Sequence, residues 1–181
     1  MRKVIVSMDL SLDGVMEEPS WTRPYLNDEV TNFQFDLLFA SDALLLGRVT
    51  YEGFAAAWPV MTDEEGFADR MNSMPKFVAT TTLEEAQWNA SLVRDNIVDE
   101  VTRLKQHPGH SLLIYGSGDL IHTLKQYNLI DEYHLLVHPV ILGSGRRLFQ
   151  DGAETRALKL IETRTTRSGV IILSYLPEKN D

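Results

Sequence analysis

No cysteine occurs among the 181 residues, and that absence removes disulfides, thiolate nucleophiles and cysteine-based zinc sites together. Positive charge is scarce as well. With 17 Lys and Arg against 26 Asp and Glu, the formal net charge is −9, so no global positive field gathers nucleic acid or an anionic membrane surface. A local basic pocket for one anionic ligand remains compatible with that balance. Long apolar runs are also missing: MRKVIVSMDL is broken by Ser7 and Asp9 and is too short for a signal h-region, and no apolar run approaches the ~18 positions that a membrane span needs. A soluble, cytoplasmic chain is the expectation. What is present is 44% hydrophobic residues, enough to close one sizeable core and short for two ordinary domains, so residues 1–181 are read as a single domain.

The chain alternates strand-like and helix-like patterns. KVIVSM is a β-branched strand, and DLSLDG turns at Asp13-Gly14. Asn27 is placed to cap a helix in which Val30, Phe33 and Leu37 share a face. DALLLG reads as a strand covered on both faces, RVTYEGFAAAW as a helix running to Pro59, and residues 63–73 as a helix opened by a Thr62–Glu65 capping box. KFVATT is the next strand. Ile97, Val101 and Leu104 then mark a helix stopped by His107-Pro108-Gly109, and SLLIYGSG leads into the helix DLIHTLKQYNL. After Asp131 the pattern changes to a strand EYHLLVHPVIL, a glycine turn GSGRR, and two strands around Ser168-Gly169, with residues 177–181 as a loose tail. The expected fold is α/β, a mostly parallel central sheet with helices on both faces and an antiparallel C-terminal hairpin.

Three strand ends, LLLGRVT, FVATTT and LLIYGSGDL, converge if the sheet is parallel, because ligands then collect beyond the carboxyl ends of its strands. At the first, Gly47 permits close backbone approach, the helix start offers free N–H groups, and Arg48 and Thr50 add a guanidinium and a hydroxyl. At the third, Gly116, Ser117 and Gly118 form a second N–H-rich turn suited to a pyrophosphate, and Thr80, Thr81 and Thr82 supply hydroxyls between them. A plain strand-to-helix turn is the competing reading of each glycine. No G-x-S-x-G elbow, HExxH or GK[ST] ending is present. His134 and His138, about 13 Å apart along a strand, are too distant to chelate one ion, so no metal is expected. Asp13, in the loop after the first strand, is taken as the catalytic carboxylate and a substrate contact, against the alternative of turn formation before Gly14. Trp21, Trp58 and Tyr25 offer aromatic faces for a flat heterocycle, with core packing favoured for Trp58. Arg146 and Arg147 either hold a substrate phosphate or solubilise their turn.

The segments SMDLSLDGVM, DALLLGRVTYEGFAAAWP, FVATTTL and NLIDEYHLLVHPVILGSGRRLF, in that order, resemble the dihydrofolate reductase-like superfamily. Within it they are most similar to the reductase domain of the bifunctional riboflavin-biosynthesis deaminase-reductase, in stand-alone form. The resemblance implies a three-layer domain that binds NADPH across the carboxyl edge of the sheet and transfers a hydride to a small heterocyclic substrate of the 5-amino-6-(5-phosphoribosylamino)uracil type. It places Gly47, Arg48, Val49 and Thr50 at the cofactor's phosphates, Thr80 and Thr81 by the adenosine 2′-phosphate, and Gly116, Ser117, Gly118, Asp119 and Leu120 around the pyrophosphate. Trp21, Arg146 and Arg147 join Asp13 as expected substrate contacts, and a homodimer is expected. Dihydrofolate reductases carry an acid on the helix before the G-R-x-T strand, whereas Val30, Phe33 and Leu37 hold the inward face here. A dihydrofolate or other pteridine reductase and a non-catalytic NADPH-binding protein are the two alternatives.

Overall fold

Runs of leucine and β-branched residues without a polar break can be satisfied only where both faces of a strand are covered, and the central strands are built from such runs. The computed structural model describes residues 1–178. Its strands are β1 (Val4–Leu10), β2 (Ser41–Gly47), β3 (Lys76–Ala79), β4 (Ala90–Val93), β5 (Ser111–Tyr115), β6 (Glu132–Val137), β7 (Leu158–Thr165) and β8 (Ile171–Pro177). The helices are α1 (Asp28–Phe39), α2 (Arg48–Ala57), α3 (Phe67–Ser73), α4 (Ile97–Gln106) and α5 (Gly118–Gln126). One sheet holds every strand in the order β4-β3-β2-β5-β1-β6-β8-β7. Its neighbours are parallel from β4 to β6, and β8 and β7 then run antiparallel.

The alternation of each strand decides which helices cover it. Val4 and Val6, Leu45, Leu112 and Ile114 meet α4 and α5 through Val101, Leu104, Ile121 and Leu124. Leu44, Leu46, Val78 and Leu113 point the other way and meet α1, α2 and α3 through Leu38, Tyr51 and Met71. Leu44, Leu45 and Leu46 are each 0% exposed, and burial of such a side chain stabilises by roughly 1.5–3 kcal/mol. The amino edge of the sheet is closed by ion pairs: Arg2 with Asp42, and Lys105 with Asp131, whose carboxylate also accepts the Val4 N–H at 2.8 Å. Among the described residues no helix is long and apolar enough to cross a membrane.

Three details depart from the pattern read in the sequence. The helix expected from residue 63 begins at Phe67, because Gly66 sits in left-handed backbone with φ 85 and breaks the run. The Thr62–Glu65 box gives way to Asp63, whose carboxylate accepts the N–H groups of Phe67 at 2.8 Å and Ala68 at 2.5 Å. Strand β4 is additional; it is a four-residue edge paired only with β3, entered through positive φ at Trp88 and Asn89, and such a short segment carries no legible period. The strand EYHLLVHPVIL stops at Val137. Of the expected tail, Pro177 ends β8 and residues 179–181 lie outside the described residues.

Candidate active site

Strands β2 and β5 are neighbours in register, so the glycine turns that follow them meet. Gly116 and Ser117 leave β5 in left-handed backbone, with φ 54 and φ 62. That conformation aims the Ser117 hydroxyl across to β2, where it accepts the Gly47 N–H at 2.9 Å and donates to the Tyr115 carbonyl at 3.0 Å. The Ser117 N–H in turn donates to Thr50 Oγ1 at 3.0 Å. Both hydroxyls therefore lock one turn to the other. A Cβ at Gly116 would stand 2.8 Å from Thr50 Oγ1, so glycine there meets a contact as well as a backbone requirement.

The lock leaves two helix starts side by side. Neither α2 nor α5 has a side-chain cap, whereas α1 and α4 are capped by Asn27 and Asn96. The first-turn N–H groups of Arg48, Val49 and Thr50 and of Gly118, Asp119 and Leu120 have no intrahelical partner, and all six residues line a cleft of about 1140 Å³ at the carboxyl edge of the sheet. Paired positive helix ends with open donors suit a diphosphate. At Gly118 a Cβ would come within 2.8 Å of Met16 Sδ, so the missing side chain keeps the α5 start close to the cleft's opposite lip.

The other expected ligands divide. Thr80 and Thr81 line the cleft, yet Thr80 Oγ1 accepts the N–H groups of Thr82 at 3.2 Å and Leu83 at 3.1 Å and so shapes its own turn. Arg48 pairs with Glu52 at 2.7 Å on the exposed side of α2. Arg146 lines the cleft and pairs with Asp119. Asp13, Trp21 and Arg147 are not among the cleft residues. The Asp13 carboxylate accepts the Ser11 hydroxyl at 2.6 Å and the N–H groups of Leu142 at 3.1 Å and Gly143 at 2.9 Å, and these bonds hold its carboxyl down at about 2. It clamps two loops together. Arg147 Nε donates to the Asp13 carbonyl at 2.9 Å. Trp21, in the 3-10 helix Pro19–Tyr25, lies edge-on to His138 with ring centroids 5.3 Å apart. Trp58, assigned to the core in the sequence, is the tryptophan that lines the cleft.

Several lining residues carry no signal in the sequence. Arg94, after β4, lies on the cleft with Thr81 and looks like an ordinary surface charge until β4 is known. Ser7 and Asp9 are on the α1-facing side of β1, and α1 contributes Gln34, whose Oε1 accepts the Ser7 hydroxyl at 2.9 Å. Tyr115 donates to the Gln34 carbonyl at 3.4 Å, and its phenol is pushed above the ordinary tyrosine range by burial and by the negative Asp9. The α1 side chain facing the cleft is thus an amide, and the carboxylate on the floor comes from β1.

Comparison with known proteins agrees with this geometry. Residues 2–172 match the family model of the RibD C-terminal domain. The chain is 34% identical over 181 residues to the uncharacterized protein YyaP of Bacillus subtilis strain 168, covering 96% of this chain and 94% of that protein. Among solved structures it is similar to a candidate riboflavin biosynthesis protein of Shewanella sp. PV-4, with TM-score 0.80, 22% identity and coverage of 98% and 99% of the two chains. It is also similar to a Thermotoga maritima diaminohydroxyphosphoribosylaminopyrimidine deaminase/5-amino-6-(5-phosphoribosylamino)uracil reductase, with TM-score 0.69, 14% identity and coverage of 97% of this chain and 56% of that one. A dihydrofolate reductase of Enterococcus faecalis complexed with NADP(H) matches with TM-score 0.66, 12% identity and coverage of 98% and 97%. From its matched span of residues 2–172 and this shared architecture, the chain belongs to the RibD C-terminal domain family and has the dihydrofolate reductase-like fold.

Proposed function

We propose that this protein is an NADPH-dependent reductase of a small heterocycle, with 5-amino-6-(5-phosphoribosylamino)uracil the substrate its family suggests. The observation that carries the reading is the lock between Ser117, Gly47 and Thr50, which sets two uncapped helix starts together on the cleft. In this reading the N–H groups of Arg48 to Thr50 and of Gly118 to Leu120 hold the diphosphate. Thr81 and Arg94 supply a hydroxyl and a guanidinium for the 2′-phosphate. Arg48 joins them by leaving Glu52, an exchange that costs little because exposed ion pairs contribute about 0–1 kcal/mol.

When bound, the dihydronicotinamide supplies the hydride. The chain's task is then to orient the acceptor, exclude water and manage a proton. Met8, Met16, Phe54, Trp58, Phe67 and Met71 give the cleft its apolar wall. Ser7, Asp9 and Gln34 offer polar atoms for the edge of a ring, and Arg146 reaches the same cleft to meet a substrate phosphate by exchanging its Asp119 partner. The amide of Gln34, where a pterin reductase needs an acid, stands against folate reduction. The test is NADPH consumption with each substrate. Oxidation with the aminouracil phosphoriboside and none with dihydrofolate is expected; oxidation with dihydrofolate alone would transfer the protein to the pteridine reductases, and tight NADPH binding with no turnover would make it a binding protein.

The same reading makes the protein a cytoplasmic homodimer. Strand β7 pairs only with β8 and is exposed along nearly all its length, including Leu160 and Ile161 at 49% and 47%. Such an open edge strand, with its unpaired backbone groups, is a natural surface for a second copy.

A further inference from the structure

Beyond the residues that suit cofactor and substrate, one buried titratable group is unexplained. His138 is 0% exposed, just past β6, and its N–H donates to the Leu10 carbonyl at 2.8 Å. Ring Nε2 stands 2.9 Å from Asp9 Oδ1, across 129 positions of sequence. The other ring nitrogen, Nδ1, is buried with no hydrogen-bond partner. Trp21 and Tyr25 close over the ring edge-on, with centroids 5.3 Å and 5.8 Å away. An imidazole walled by aromatics is costly to bury for packing alone when one nitrogen stays unpaired. Nδ1 has no acceptor for a proton, so the resting ring carries its proton on Nε2 and donates it to Asp9.

Asp9 is the outward half of the pair. Its side chain is 33% exposed, it lines the cleft, and His138 is its hydrogen-bond partner among the described residues. The titratable groups that share its surroundings are Tyr115 on β5, Glu17 and Glu18 before the 3-10 helix, and Tyr25 within it; α1 presents only the amide of Gln34. Tyr115 is held neutral by burial, and Glu17 is engaged by the Arg146 N–H at 3.0 Å. Asp9 is therefore the carboxylate on the cleft floor that is backed by a buried imidazole.

We propose that Asp9 takes a proton from water at the cleft and delivers it to complete reduction, and that His138 is the positioning residue whose Nε2–H holds Asp9 from behind. This rests on the reductase reading. The acceptor carbon of a C=N or C=O bond gains the hydride with its two electrons, and the π pair moves onto nitrogen or oxygen. The Asp9 O–H bond breaks, its pair stays on the carboxylate, and a new N–H or O–H bond forms on the substrate. The nicotinamide is oxidised in the same step, and the Asp9 carboxylate takes its next proton directly from water at the cleft, to which it is 33% exposed.

Asp9→Asn and His138→Gln test this with two kinds of measurement. Imidazole proton resonances of the protein without ligand should contain one strongly downfield Nε2–H signal that vanishes in His138→Gln and moves upfield in Asp9→Asn, where the charged acceptor is gone. In NADPH oxidation with the aminouracil phosphoriboside, Asp9→Asn should lose at least ~100-fold in kcat while NADPH affinity stays at the wild-type value. His138→Gln should lower kcat while KM for the aminouracil phosphoriboside and NADPH affinity stay at the wild-type values; a purely structural role would lower stability without that split. Wild-type turnover kept within about threefold in Asp9→Asn, or no downfield signal in the wild type, overturns the pair and leaves the reductase standing. A wild-type protein that oxidises no NADPH removes both.

Discussion

Ser117 shows how much one small residue can fix. Its left-handed backbone, φ 62, turns the hydroxyl toward Gly47 and the N–H toward Thr50, so a side chain that looks like a phosphate ligand in the sequence is the bolt between two turns. Ser117→Ala leaves the Gly47 N–H unpaired. We predict a loss of about 1–2 kcal/mol in urea unfolding and a weakening of NADPH binding that exceeds what Arg48→Ala causes. Asp13 makes the opposite case, because a residue expected at the substrate holds the loop at Leu142 and Gly143 instead. Its carboxyl is depressed to about 2 from the ordinary 3.8, so the stability it contributes is complete above the unfolded value and is lost as pH falls through the folded one. The difference in unfolding midpoint between wild type and Asp13→Asn should therefore shrink between about pH 4 and pH 2, with NADPH affinity equal in the two; a constant difference across that window would refute the clamp. Neither role is legible in sequence. Thr50, Ser117 and Asp13 announce a turn, and only the adjacency of β2 with β5 decides whether a hydroxyl there meets a ligand or another turn.

Elements were easier to read where their ends have a chemical signature. Asn27 announces the cap it makes on α1, and the glycine turns before α2 and α5 stand out because both follow apolar strands. The contrast between capped and uncapped starts is itself informative, since in α2 and α5, which lack caps, all three residues of the opening turn line the cleft. Strand β4 and the late start of α3 escaped because they depend on left-handed residues at Gly66, Trp88 and Asn89, of which only the glycine is visible as such. Strand β3 carries a further oddity. Lys76 is 1% exposed, donates to the Asn72 carbonyl at 3.0 Å and lies 3.9 Å over the Trp88 ring. Burial lowers its ammonium from 10.5 to about 8. Between those values the unfolded chain binds a proton that the folded chain does not, so stability rises with pH across that window. Lys76→Met should abolish the rise and raise stability at pH 7 by about 1–2 kcal/mol; a destabilised variant would mean that the contact with Trp88 outweighs desolvation.

At the scale of the molecule, the parallel order β3-β2-β5-β1-β6 brings strand ends distant in sequence to one edge, while ion pairs close the opposite edge. The α/β alternation made that architecture predictable, and with it the meeting of LLLGRVT and LLIYGSGDL. The Asp9–His138 pair was not predictable, because its two halves are read from sequence as a strand residue and a distant histidine. The exposed β7 edge gives a further expectation: light scattering should return twice 20.5 kDa, and the monomer mass would contradict the dimer. The central claim is that two locked, uncapped helix starts, with Thr81 and Arg94 beside them on the cleft, form the seat of a phosphorylated dinucleotide. Fluorescence titration of the purified protein with NADPH and, in parallel, NADH tests it most directly. Tight binding of NADPH with much weaker binding of NADH is the predicted result, and equal affinity for the two or binding of neither would contradict it.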